Sequence, residues 1–117
     1  MLADVRFESL DDGMLARIAG EVDMSNADDL GKALTQMMSN EALGLVLDLS
    51  DVDYFDSAGI HMLYDVRESL RVRGQKLWLV VPDRSMARDA LRLAAVLQTL
   101  DVATSVEDAT AALARAG

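Results

Sequence analysis

The hydrophobic pattern of the chain begins with a period of two. Val5 and Phe7 alternate with Arg6 and Glu8, as in a strand with one covered face. Asp11-Asp12-Gly13 marks a turn, and then Met14, Ala16, Ile18 and Val22 alternate with Leu15, Arg17, Ala19 and Glu21. The two runs read as a β-hairpin with a loop longer than the tight two-residue kind. After Ser25-Asn26-Ala27-Asp28, a Ser-to-acid spacing with the form of a capping box, the period becomes helical. Leu30, Ala33, Leu34, Met37 and Met38 fall on one side and Asp28, Asp29, Lys32 and Gln36 on the other. This predicts a helix to about Ser39, with its Met pair used for core packing rather than as an adaptable surface.

Leu43 to Leu49 is apolar on both parities, the mark of a strand covered on both faces in a parallel or mixed sheet. It leads into Val52-Asp53-Tyr54-Phe55-Asp56-Ser57-Ala58-Gly59-Ile60, where a second helical pattern starts. Gly59, Leu63, Val66 and Leu70 share one face of that helix, with His61, Asp65 and Glu68 opposite. Arg71-Val72-Arg73-Gly74 supplies cations in the last turn and Gly just beyond it, a helix stop. Leu77 to Val81 is the next buried strand, stopped by Pro82. Asp83 or Ser85 can cap a third helix with Met86, Ala90, Leu93, Ala94 and Leu97 inward. Val102-Ala103-Thr104 reads as a short last strand. Ser105-Val106-Glu107-Asp108 repeats the capping-box form before a helix with Val106, Ala109 and Leu113 inward. The order ββαβαβαβα predicts an α/β fold, strands sandwiched by about four helices.

Length and charge narrow the function. At 117 residues, 51% of them hydrophobic, the chain suits one domain spanning 1–117, with a core that needs no disulfide or metal. The longest apolar runs are five residues, far short of a membrane span. Met1-Leu2-Ala3-Asp4 has no basic region followed by an apolar one, so no secretory leader is expected, and the expected compartment is the cytoplasm. Twenty acidic residues against 11 basic give a net charge of −9. Nucleic acid and anionic membrane are therefore disfavoured, and basic protein partners favoured. The absence of cysteine excludes thiolate chemistry and thiolate metal sites.

Candidate chemistry centres on Ser57. A hydroxyl just before or at the start of a helix caps it or stays free, and Asp56 competes for the cap. Ser57, His61 and Asp65 are spaced i, i+4, i+8 along one face, which on paper resembles a nucleophile, a base and an orienting acid. That face reads as solvent-exposed, however, and successive rungs about 5.4 Å apart on one helix suit proton transfer poorly. No enzymatic activity is expected. Glycine-rich phosphate loops are missing, as is the glycine-flanked serine turn of the α/β-hydrolases. Asp48, Asp51, Asp53 and Asp56 read as the solvated acids of a loop, so no metal and no cofactor are expected.

The string Leu47-Asp48-Leu49-Ser50-Asp51-Val52-Asp53-Tyr54-Phe55-Asp56-Ser57-Ala58-Gly59 resembles the signature of STAS domains, in particular the small bacterial anti-anti-sigma factors. Gly20-Glu21-Val22-Asp23 resembles the family's Gly-Glu-Leu-Asp, and the segments Val80 to Pro82 and Leu100 to Ala109 resemble its closing third. The resemblance implies a mixed, mostly parallel sheet and a role as an anti-sigma factor antagonist. The Ser matching Ser57 is then phosphorylated by an ATP-binding serine kinase that doubles as the anti-sigma factor, and a PP2C-type phosphatase resets it. The unphosphorylated form docks on the kinase and releases its client; phosphorylation, adding about −1.5 to −2 charge, abolishes docking. Asp23, Asp56, Ser57, Ala58, Gly59, His61, Tyr64 and Asp65 are the expected partner-binding residues, the last three from their place on the exposed helix face. Asp23 has two readings, placing the kinase's nucleotide or capping a turn. Ala58, His61 and Tyr64 depart from the usual family residues, which bears on the partner's identity. A monomer that forms heterocomplexes is expected. A constitutive STAS interaction subunit of a transporter or signalling assembly is the alternative, disfavoured by the intact Ser57 and by a chain ending at Gly117.

Overall fold

The structure is a computed structural model that describes residues 3–116. Met1, Leu2 and Gly117, on which the expectations about a leader and about the chain's end partly rest, lie outside the described residues. Five strands form one sheet in the order β1-β2-β3-β4-β5. β1 (Ala3–Ser9) and β2 (Gly13–Val22) make the antiparallel hairpin, its turn closed by the Leu10 amide donating to the Gly13 carbonyl at 2.8 Å. α1 (Ala27–Gln36) leads to β3 (Gly44–Phe55), which lies parallel to β2. α2 (Ser57–Val72) leads to β4 (Lys76–Val80), parallel to β3. α3 (Met86–Leu93) and the single turn α4 (Val96–Thr99) lead to β5 (Val102–Ala103), parallel to β4, and α5 (Val106–Ala116) closes the chain. The sheet is thus mixed and mostly parallel, as the apolar runs require.

β3 explains the layering. Leu45, Leu47 and Leu49 face the larger core with α1 and α2, while Val46 faces Leu15, Val80, Ala109 and Leu113 under α5. Both parities of the strand are therefore buried. Leu15, placed by simple alternation on the polar side of β2, is buried in the core under α5. Its strand is covered on both faces at that end, and alternation fails there.

α2 follows its predicted pattern closely. Gly59, Met62, Leu63, Val66 and Leu70 are buried, and the helix stops at Arg73 with Gly74 at φ +75°, a left-handed turn that favours glycine. Arg73 also closes α1 from below, donating to the carbonyls of Thr35 and Met38 at 3.1 and 2.9 Å. Of the predicted helix starts, Ser85 caps α3 and Ser105 caps α5, each accepting the amide three residues on at 3.1 Å.

Three expectations need correction. α1 starts at Ala27 after Asn26, not on a Ser25 capping box, because Asp23 has already captured Ser25. Its helical run ends at Gln36, short of Ser39. The third helix is two pieces, with Ala95 at φ 60° between them, and its inward residues are Ala87, Leu91, Val96 and Leu100. Met86 and Leu93, predicted inward, are 58% and 90% exposed. Ala90 and Leu97 do pack half-buried against the core, while Ala94 is exposed; α3 turns Ala87 and Leu91 inward, one residue on from the predicted stripe, and the break at Ala95 resets the phase for Val96 and Leu100.

Candidate functional site

β3 runs on past its last pairing with β4, Asp48 with Val80, and stays hydrogen-bonded to β2 as far as Phe55 opposite Val22. The chain remains in register for one more residue, since the Asp56 amide donates to the Val22 carbonyl at 3.3 Å. This brings the β2–α1 loop, with Asp23, beside the start of α2.

At that start Asp56 is the cap. It has extended backbone, and its Oδ1 accepts the amides of Ala58 at 2.9 Å and Gly59 at 3.3 Å. Ser57 is therefore the first helical residue, exposed, with its hydroxyl free of the capping duty. Of the two sequence alternatives, the structure realises the one that frees the serine. Asp56 has the stronger claim because a carboxylate meets both orphan amides and the positive end of the helix dipole together.

Gly59 is required by packing. A Cβ there would lie 2.9–3.0 Å from three ring atoms of Phe55, whose side chain is buried beneath the first turn of α2. The ring sets how closely the helix sits on the sheet, and so sets the position of Ser57. Ala58 is half-buried and small, which leaves the hydroxyl open to a large partner.

Asp23 is held in a tight turn. Its Oδ1 accepts the Ser25 amide at 2.8 Å and the Ser25 hydroxyl at 2.5 Å. These bonds, the hydroxyl's first and the amide's second, lower the Asp23 pKa below the ordinary 3.8. Of its two sequence readings, the structure shows the turn cap. Beneath it, buried Asn26 accepts the Asp23 amide at 3.0 Å and donates to the Glu21 carbonyl at 2.8 Å. Sequence reasoning missed Asn26 as the residue that fixes this loop; an Asn directly before a helix was the available signal.

The remaining predicted residues divide. His61 and Asp65 are exposed on α2, in line with Ser57. Tyr64 is not on the open face. It is half-buried against the larger core, and its hydroxyl is hydrogen-bonded to the Thr99 hydroxyl of α4. Asp48 is not a solvated loop acid either. β3 is strand from Gly44 to Phe55, and Asp48 is buried, accepting from Arg17 Nη1 at 2.9 Å and from the Ser50 amide at 3.0 Å. A lone acid within a doubly covered strand must find a partner, and Arg17 stands opposite it in register. Asp51 and Asp53 are exposed, as expected. Tyr54, 49% exposed and one residue from Phe55, was not anticipated as part of this end of the molecule.

The site is thus an exposed hydroxyl at a helix start, bordered by Asp23, Asp53 and Asp56. Among the described residues, no three carboxylate or histidine side chains converge to hold a metal. No helix among them is long and apolar enough to cross a membrane.

Comparison with known proteins bears on the fold and the family. The protein named "Putative anti-sigma factor antagonist BtrV" of Bordetella bronchiseptica is 33% identical over 103 residues, which span 86% of this chain and 87% of that protein. The fold matches the crystal structure of an anti-sigma factor antagonist from Mycobacterium paratuberculosis with a TM-score of 0.81 at 24% identity, over 95% of this chain and 93% of that one. It also matches a sulfate transporter family protein from Wolinella succinogenes, with a TM-score of 0.71 at 26% identity, over 86% and 84% of the two chains. The family model for the STAS domain matches residues 4–109, nearly the whole described sheet and its helices, and the chain belongs to the STAS domain family.

Proposed function

We propose that this protein is an anti-sigma factor antagonist that acts by partner switching, with Ser57 as the phosphoacceptor. The observation that carries the reading is the exposed Ser57 hydroxyl, left free because Asp56 takes the cap. The likeness to the Bordetella protein named "Putative anti-sigma factor antagonist BtrV", over most of both chains, supports the same role. In this reading the chain works in the cytoplasm as a single STAS domain and a monomer, with no catalysis or cofactor of its own. ATP belongs to the partner, a serine kinase that is also the anti-sigma factor, and a PP2C-type phosphatase restores the hydroxyl.

Electrostatics explain why such a mark would switch binding. A phosphoserine at Ser57 brings about −1.5 to −2 charge next to Asp56, Asp53 and Asp23 in a chain already at −9. Helix starts commonly stabilise phosphate through free amides. Here the amides of Ala58 and Gly59 already donate to Asp56, so the dianion gains little inside the free protein. A partner surface fitted to a small neutral serine would have to desolvate that dianion. Docking then fails by charge rather than by refolding. Asp23, Asp56, Ser57, Ala58, His61 and Asp65 form the docking surface, with Tyr64 at its edge; Gly59, expected among them, is buried against Phe55 and serves only to set the helix start.

The test is co-purification of Ser57→Ala and Ser57→Asp forms from the native cell, with mass spectrometry of the wild-type chain after incubation with the retained kinase and ATP. The reading expects Ser57→Ala to hold the kinase, Ser57→Asp to release it, and phosphate on Ser57 alone. Equal retention by both forms, or phosphate at another position, would refute it. A constitutive interaction subunit is the second reading, favoured by the likeness to the sulfate transporter family protein. It expects both forms to retain the same partner.

A further inference from the structure

One side chain at the site is not acidic, apolar or neutral. The two segments that build the site, residues 21–31 and 49–66, hold eight acidic residues and neither Lys nor Arg. His61, the single histidine of the chain, is the one side chain in these segments able to carry positive charge.

The helix fixes its place relative to Ser57. α2 is continuous from Ser57 to Val72, so the two residues stand at i and i+4, with Cβ atoms about 5–6 Å apart. Helical side chains lean towards the N-terminus, which carries the imidazole over the turn that holds Ser57. Both residues are exposed, and His61 makes no ion pair among the described residues. The bare hydroxyl is too short for that span. A phosphoryl group lengthens the side chain by two bonds and ends in strong acceptor oxygens, so it reaches. The backbone offers such a phosphate little, because the amides of Ala58 and Gly59 donate to Asp56.

The other charged groups around α2 do not fill the role. On α2 itself Asp65 lies one turn beyond His61, and Arg67 and Arg71 belong to the C-terminal half, where Arg71 pairs with Glu68 at 2.6 Å. α1 brings Asp28 and Lys32 to the groove it shares with Asp65, Met62 and Val66, farther along the helix than Ser57. Asp53 and Asp56 at the end of β3, and Asp23 in the β2–α1 loop, add negative charge only. β4 carries one charged residue, Lys76, just past the C-terminal end of α2, and α4 carries none.

We propose that His61 is the countercharge of a phosphorylated Ser57, its imidazolium hydrogen-bonded to the phosphate one turn before it. The inference rests on the partner-switching reading and adds how the phosphate is held once the kinase has gone. His61 also belongs to the docking surface, so pairing withdraws it from a partner when the phosphate arrives. Imidazole ordinarily takes its charge near pH 6.5. The pair is complete below that range and is lost as pH rises through the higher midpoint that the phosphate imposes. A kinase or phosphatase that takes up the phosphate must break the pair, and this opposes it more strongly as pH falls.

The test installs phosphoserine at position 57 during synthesis, by suppression of an amber codon, so it does not depend on which residue a kinase marks. The His61 imidazole is titrated by NMR in the phosphorylated and unmodified full chains, and the phosphate is followed by phosphorus NMR. The proposal expects the imidazole midpoint to lie about half a pH unit higher in the phosphorylated chain. Coupling is reciprocal, so the phosphate midpoint should lie lower by a similar amount in the wild type than in His61→Gln. An unmoved imidazole, or a phosphate indifferent to His61→Gln, overturns the proposal and leaves the Ser57 reading standing. The double variant His61→Gln, Asp65→His moves the imidazole one turn farther away and is expected to show a smaller rise. An equal rise there marks a diffuse field rather than a pair and also overturns the proposal. Failure of the Ser57 reading shows separately, in the co-purification of Ser57→Ala and Ser57→Asp.

Discussion

Replacing Asp56 tests the central structural claim, that the aspartate rather than the serine caps α2. In Asp56→Ala the amides of Ala58 and Gly59 lose their acceptor at 2.9 and 3.3 Å. Loss of an N-cap side chain costs about 1 kcal/mol. Removing a negative charge from a helix N-terminus costs about 0.3–1 kcal/mol more. Relief of repulsion from Asp23 and Asp53, both at the surface, returns roughly a few tenths of a kcal/mol. The expected loss is about 1–1.5 kcal/mol, which for a chain of this size lowers Tm by roughly 4–8 °C. Asp56→Asn keeps an acceptor and loses only the charge, so it should cost about 0.3–1 kcal/mol. Ser57→Ala removes a hydroxyl with no hydrogen bond among the described residues and should stay within about 0.5 kcal/mol of the wild type. Urea unfolding followed through the fluorescence of Trp78, the sole tryptophan, measures all three against one another. The reasoning fails if Ser57→Ala costs as much as Asp56→Ala, because the serine would then be the cap and its hydroxyl would not be free for modification.

Three further outcomes follow from the same geometry. Gly59→Ala pushes a methyl group to within 2.9–3.0 Å of the Phe55 ring, so it should destabilise by about 1–3 kcal/mol despite alanine's better helix propensity; amide shifts at Ser57 would report the displaced helix start. Arg17→Ala leaves buried Asp48 with only Ser50 as a donor and should cost about 1–3 kcal/mol in urea unfolding, with much of the loss recovered in the Arg17→Ala, Asp48→Asn double variant; no recovery would show that the pair is not coupled. For Asp23 the folded pKa is lowered, chiefly by the Ser25 hydroxyl, so its contribution to stability is complete above the ordinary 3.8 and disappears as pH falls through the lower folded value. Ser25→Ala should move the Asp23 carboxyl titration, followed by NMR, up towards 3.8, while an unmoved midpoint would show that the hydroxyl does not hold it.

Much of the molecule was legible before any coordinates. The double parity of Leu43–Leu49 announced a strand buried on both sides, and β3 lies between two cores. The i, i+4, i+7 spacing of α2, with its Arg-Gly stop, reproduced the observed buried face and C-terminus. The errors share a cause. Asp48, Ser25 and the third helix were judged from their sequence neighbours, whereas each is governed by a residue brought in by the fold or by a local backbone turn. Arg17 comes to Asp48 across the sheet, and Asp23 takes Ser25 before it can cap a helix. A left-handed Ala95 has no sequence signature, since alanine is ordinarily a helix former.

The candidate site divides in the same way. The sequence by itself determined that a hydroxyl stands at the junction of a buried strand and an amphipathic helix, among acids, with small residues after it. Those features depend on local patterning, which the chain carries residue by residue. Only the tertiary structure decided which of Asp56 and Ser57 caps the helix and what presses Gly59 onto Phe55. It also decided that Asp23 lies beside Asp56, that Tyr64 turns away to Thr99, and that Met86 and Leu93 face outward. These are competitions between nearly equal local choices, separated by about a kilocalorie or two, and they are resolved by packing partners distant in sequence.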